Sequence, residues 1–242
     1  MKLLLANVRV FLIAVLGFIL AVYAAWMINA QLGYGYAWLY HAYDTDQHIA
    51  KFAPQNRFRQ GFETTSIEDH KAAFQSIVDS VHNNGEGLAA IKYQVAGDNI
   101  PLLHRAEVVH LQDVANLINS IHKLAIFVGL LWLFLVIRQW TLIKSKQGYV
   151  RHSALGLGVI LALLSLMTFV VFVVWGAKAI FYQLHILIFP ADHQWFFYYQ
   201  DSLMSTLMKA PDLFAGIAIQ IMVVALSLMI VASWAAKKVA RL

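Results

Sequence analysis

Four long apolar runs limit what this chain can become: residues 11–28, 121–137, 155–177 and 213–234. A bilayer hydrocarbon core of about 30 Å takes roughly 20 helical residues to cross. Lipid offers no water to solvate a backbone, so such runs must satisfy their own N–H and C=O groups as helices. Over 242 residues the hydrophobic share is 60% and the charged share 13%, about half the charged content of an ordinary soluble domain. The expected fold is an all-α integral membrane protein: a four-transmembrane-helix bundle. Its divisions are a first transmembrane helix within residues 1–28, a mostly helical extracytoplasmic region over 29–120, and helices 2–4 within 121–242, with a shorter outer loop at 181–211 between helices 3 and 4. The whole is read as one functional unit.

Charge gives the orientation. Lys2, Arg9, Arg138, Lys144, Lys146, Arg151, Lys237, Lys238 and Arg241 lie on the side that holds both termini and the 138–151 connection, where no acid occurs. Basic residues flanking spans stay cytoplasmic, so both termini are expected there. All thirteen acidic residues fall in segments expected outside the membrane, and the other nine basic ones lie there or, like Lys123, at the outer end of a span. The net charge of +5 is thereby explained by topology and does not point to nucleic acid. The first run is read as an uncleaved anchor in a cytoplasmic membrane, because its apolar core exceeds the 7–15 residues usual in a signal peptide. With no cysteine, the chain has no disulfide, thiolate ligand or thiol nucleophile, and any thiol chemistry belongs to a substrate.

Beyond the first run, residues 32–43 carry Tyr34, Tyr36, Trp38, Tyr40 and Tyr43, a density expected of rings anchored at headgroup level. Ser66 with Asp69 reads as a capping box. Phe74, Ile77, Val78 and Val81 then recur at helical spacing, predicting an amphipathic helix over 67–83. Residues 88–95 fit either a strand or a helical turn. From Arg105 no Gly or Pro intervenes before Gly129, so one helix is expected to start outside the membrane and run into the second span.

On that helix His110, Asp113, Val114, Leu117 and Ile121 share a face, with Asp113 expected to orient His110. The third run continues through Phe181, His185 and Phe189, spaced by four, and stops at Pro190. A histidine among apolar residues is commonly a satisfied core residue. Two at one membrane interface are functional candidates. The segment after Pro190, rich in Trp195, Phe196, Tyr198, Asp192 and Asp201, is expected to be a re-entrant or surface helix.

These residues carry a resemblance. Val109-His110-Leu111-Gln112-Asp113-Val114 resembles the His-x-x-Asp-Val element of the lipoprotein intramolecular transacylase family, and Phe181-x-x-x-His185-x-x-x-Phe189 resembles its second histidine element. Trp195, Asp201, Leu203, Pro211 and Phe214 follow in a similar order, while Ala115, Leu111 and residues 194–201 depart from the pattern. The resemblance implies a membrane acyltransferase with diacylated bacterial lipoproteins and membrane lipid as partners. It implies transfer of one ester-linked acyl chain from the diacylglyceryl group to the α-amino group of the N-terminal cysteine. His110, His185 and Asp113 would be catalytic and Phe181, Phe189, Trp195 and Asp201 substrate-binding, with no cofactor and no metal. The absence of a Gly-x-Ser-x-Gly elbow is compatible, since the substrate supplies its own nucleophile.

Two other readings use the same residues. His110, Asp113 and His185 would also compose a two-histidine, one-carboxylate metal site for a hydrolase, although His-Glu-x-x-His is absent; elemental analysis separates these. A non-enzymatic scaffold or accessory subunit would leave lipoprotein acylation independent of both histidines.

Overall fold

The structure, a computed structural model, describes residues 2–145, 167, 170–171, 174–176 and 178–239. The third apolar run, 155–177, therefore lies almost entirely outside the described residues. The described chain is mainly helical: α1 Lys2–Gln31, α2 Tyr36–Ala42, α3 Thr45–Phe52, α4 Ile67–His82, α5 Arg105–Lys144, α6 Lys178–Ile188, α7 Leu203–Leu207 and α8 Asp212–Val239. Three helical stretches among the described residues are long and apolar enough to cross a membrane: Asn7–Gln31, Arg105–Lys144 and Asp212–Ala235. At 1.5 Å per residue, the 40 residues of α5 extend about 60 Å, roughly twice a hydrocarbon thickness.

Local chemistry accounts for the boundaries. Ser66 Oγ accepts from Asp69 N while the Asp69 carboxylate accepts from Ser66 N, so the expected capping box starts α4. The apolar stripe Phe74, Ile77, Val78 and Val81 is buried. The undecided stretch 88–95 divides into a 3₁₀ turn, Leu88–Ala90, and strand β1, Lys92–Val95. Strand β2, Asp98–Pro101, pairs antiparallel with β1, Val95 opposite Asp98. Ala96 and Gly97 both take positive φ in the two-residue turn between them, as a type I′ hairpin requires. This hairpin is a small exception to the expected all-α class within a mostly helical outer region, and its signal was short because only four residues per strand were involved.

The chain forms two compact units. The apolar unit comprises residues 1–28, 122–174 and 219–242. Ala21 and Ala25 of α1 and Ala225 of α8 form its buried centre, the small-residue packing expected where lipid gives no hydrophobic drive between helices. Trp132 of α5 donates Nε1–H to the Ile13 carbonyl at 3.0 Å. Gly17 permits that approach, because a Cβ there would stand 3.1 Å from the same indole nitrogen.

The second unit, residues 29–121 and 175–218, has a core of Leu39, Tyr40, Ile49, Phe62, Ile77 and Leu203, each at most 1% exposed. Tyr36 stacks on Phe74 with centroids 3.9 Å apart and donates its hydroxyl to the Leu207 carbonyl. Tyr40 and His70 Nδ1 lie 2.8 Å apart, and His70 Nε2–H reaches the Phe62 carbonyl, so Nδ1 accepts from the tyrosine. Within the aromatic run 32–43, Tyr36 and Tyr40 thus serve as core, while Trp38 is exposed, at 67%. Headgroup anchoring was the wrong expectation for Tyr36 and Tyr40, because hydrogen-bond partners for their hydroxyls come from α4 and α7.

Candidate functional site

Every expected site residue belongs to the second unit. His110 projects from the first turns of α5 and is buried, 7% exposed. Its ring lies 5.9 Å from that of His185 on α6, centroid to centroid and tilted by 31°, so the two helices bring the predicted histidines together. Phe189 approaches His110 at 4.9 Å, and Phe181 lies 4.0 Å from His185. Helical spacing of four explains why Phe181, His185 and Phe189 share a face.

One hydrogen bond fixes a tautomer. His185 Nδ1 is 2.7 Å from the Phe181 carbonyl oxygen, which only accepts, so Nδ1 carries the hydrogen and Nε2 keeps its lone pair. Nδ1 of His110 is buried with no hydrogen-bond partner among the described residues. Most buried polar groups do have a partner, so this open nitrogen marks His110 out.

The segment between α6 and α7, residues 189–202, contains turns and irregular backbone rather than the expected re-entrant or surface helix; the helix that follows is the short Leu203–Leu207. It forms a strap whose rings close on the histidines: Trp195 lies 5.2 Å from His185, and Phe197 5.9 Å from His110. Asp113 does not hydrogen-bond His110. Its carboxylate lies 2.6 Å from His193 Nδ1, and that bond raises the His193 pKa above the ordinary imidazole range. Asp201 stands apart from the ring cluster, its carboxylate paired with Arg57 at 3.1 Å.

The model of the family described as lipoprotein intramolecular transacylase matches residues 8–210. The chain belongs to this family. No curated protein and no solved structure gave a match. The matched span includes both histidine elements and the whole strap. Membership makes this a transferase of lipoprotein modification, and its apolar helices are those of a membrane-associated member. Ala115 and Leu111, two of the departures from the resembled element, are both buried.

Sequence reasoning missed Glu107. This carboxyl group is 1% exposed. Its Oε1 accepts from Ser202 Oγ at 2.6 Å and Met204 N at 3.0 Å, and Oε2 accepts from His104 N at 2.7 Å. The available signal was an acid three residues before His110 on an apolar stripe, where it must find donors. His193 and Phe197 gave no comparable signal, because their partners lie some eighty residues away in sequence. Among the described residues no three His, Asp or Glu side chains are gathered so as to hold a metal ion.

Proposed function

We propose that this family member moves an ester-linked acyl chain from the diacylglyceryl group to the α-amino group of the N-terminal cysteine of a bacterial lipoprotein. The product is the N-acyl lyso form. The supporting observation is the pair of neighbouring imidazoles, delivered by separate helices and enclosed by Phe181, Phe189, Trp195 and Phe197. The amine nitrogen attacks the ester carbonyl, a C–N bond forms and the C–O bond to the glyceryl oxygen breaks. The proton leaving nitrogen passes to an imidazole, and the ring pair returns a proton to the departing oxygen, so the enzyme ends as it began.

An α-ammonium has a pKa of about 7.7–8.0 and a free imidazole about 6.5; burial holds His185 below that ordinary value, so its ring is neutral at neutral pH and its lone pair is free to take the proton. The Nε2 lone pair of His185 makes it the base in this reading. Amine and ester belong to one molecule, so holding them together replaces an enzyme nucleophile. The aromatic rings cover the acyl chain, and Asp201 steadies the end of the strap through Arg57. The histidines lie at the extracytoplasmic acyl-ester depth of a four-span chain with both termini cytoplasmic, as the charge distribution supports.

The test is expression in a host whose lipoproteins are diacylated, with mass spectrometry of their N-terminal peptides. The N-acyl lyso form is expected with wild type and not with His110→Ala or His185→Ala. Transfer persisting in both variants overturns the site; no transfer with wild type overturns the function.

A further inference from the structure

Three side chains of α5 spaced by three meet the strap in order. Glu107 receives Ser202 Oγ and the Met204 N–H at the strap's far end. His110 meets the ring of Phe197 in its middle. Asp113 receives His193 Nδ1 near its beginning. Two carboxylates on one helix thus tie down both ends of the segment that carries Trp195 and Phe197 over the two imidazoles. The ends differ in character. Glu107 is 1% exposed, whereas the His193 and Asp113 side chains are 37% and 15% exposed.

We infer that His193 is a positioning residue for acyl transfer, and that Asp113 acts by clasping His193 rather than by orienting His110. This rests on the reaction proposed above. The clasp fixes where the strap crosses α5, and through it the walls against which an acyl chain must lie. With one end loose, Trp195 leaves His185 and Phe197 leaves His110, while the imidazoles themselves stay on their helices. Misplacement of about 1 Å at a reacting centre lowers rates by roughly a hundredfold. The charged groups facing His193 are Asp113 from α5 and Asp192 beside it on the strap, both favouring the imidazolium. The clasp is therefore charge-assisted while His193 is protonated and weakens as pH rises through its raised pKa.

The test compares His193→Ala, Asp113→Ala, their combination and His193→Gln with wild type. Two readouts are used: N-terminal acylation by mass spectrometry, and hydrogen exchange of residues 189–202 in detergent-solubilised full-length protein. Each alanine variant is expected to lower transfer roughly ten- to a hundredfold, with the combination no worse than the weaker single, since both remove one bond. Exchange of the strap rises in each while that of α4 stays unchanged. His193→Gln, whose amide still donates to Asp113, restores most of the transfer, and the wild-type advantage over it shrinks toward alkaline pH.

Asp113→Ala as severe as His110→Ala, beside an unimpaired His193→Ala, overturns the clasp and returns Asp113 to His110. Strap exchange indifferent to His193→Ala overturns it whatever the activity. A wild type that transfers no acyl chain ends the proposed reaction instead, and the exchange data alone then decide whether the clasp exists.

Discussion

The two units of this chain are held together by opposite means. In the apolar unit, Ala21, Ala25 and Ala225 let helices approach closely, and large side chains such as Phe127, Leu130 and Phe134 remain exposed for lipid. In the second unit aromatics such as Tyr40 and Phe62 are interior, and several buried polar groups find partners distant in sequence, as in Tyr40 with His70 and Glu107 with Ser202, while His110 Nδ1 and His48 Nε2 have none among the described residues. A surface facing hydrocarbon gains nothing by hiding apolar area, so packing there depends on fit. A surface facing water gains by burial, and then must satisfy what it buries. Chemistry that moves protons belongs to the second kind of interior, and both candidate catalytic histidines lie there.

The sharpest way to break this comparison is to remove a histidine from each unit. His110→Ala or His185→Ala is expected to lower acyl transfer by about 10²–10⁴, the range for loss of a general acid or base. His122 of the apolar unit, whose Nδ1 meets the Tyr23 hydroxyl at 2.9 Å, is expected to tolerate alanine with transfer essentially unchanged. The measurement is the same mass-spectrometric assay for all three. Equal losses would mean that proton chemistry is not confined to the second unit.

Next in size is the buried carboxyl group. Glu107→Ala leaves Ser202 Oγ, Met204 N and His104 N without their acceptor, and each orphaned buried donor costs about 1–3 kcal/mol. A loss of about 2–4 kcal/mol is expected by chemical denaturation, because water reaches some of these groups once the side chain is gone. Glu107→Gln, which keeps one carbonyl acceptor, is expected to recover part of it. The apolar unit answers to shape instead. Ala225→Leu forces a large side chain into a fully buried position and is expected to destabilise by about 1–3 kcal/mol. Ile219→Ala, at an exposed site, should change little.

The same contrast explains what could be read from the chain. Periodicity and the absence of Gly and Pro announced α5 from Arg105 onward, and Ser66 with Asp69 announced α4, because both signals are local. The approach of His110 and His185 was legible only through the order and spacing of two short elements resembling a known family. The Asp113–His193 bond was not legible. Asp113 shares a helix face with His110, which suggested the nearer partner, but an i,i+3 neighbour lies alongside and a strap from elsewhere in the chain approached end-on. The burial of Tyr36 and Tyr40 escaped for a similar reason: aromatic density looks the same whether water, lipid or protein receives it.

The smallest expected effect concerns acid. His48 of the second unit sits edge-on to Tyr199, with centroids 4.4 Å apart, and Nε2 has no hydrogen-bond partner among the described residues. Burial first, then the nearby Lys209 charge, pull its pKa down from 6.5 to about 4. His70, also buried, is lowered for the same first reason. A histidine with a depressed folded pKa leaves the fold unpenalised above about 6.5. As pH falls, the unfolded chain takes up a proton that the folded one refuses, so stability declines between roughly 6.5 and 4. From about pH 7 to about pH 5.5, His48 alone should remove about 1 kcal/mol. His48→Phe keeps an aromatic ring against Phe52 and Tyr199 while deleting the titration. Denaturation at the two pH values should therefore show a smaller acid loss in that variant than in wild type, with His70 contributing to the remainder. An identical loss in both would mean that His48 finds solvent in the folded protein. The second unit's interior would then be more permeable to water than its packing implies.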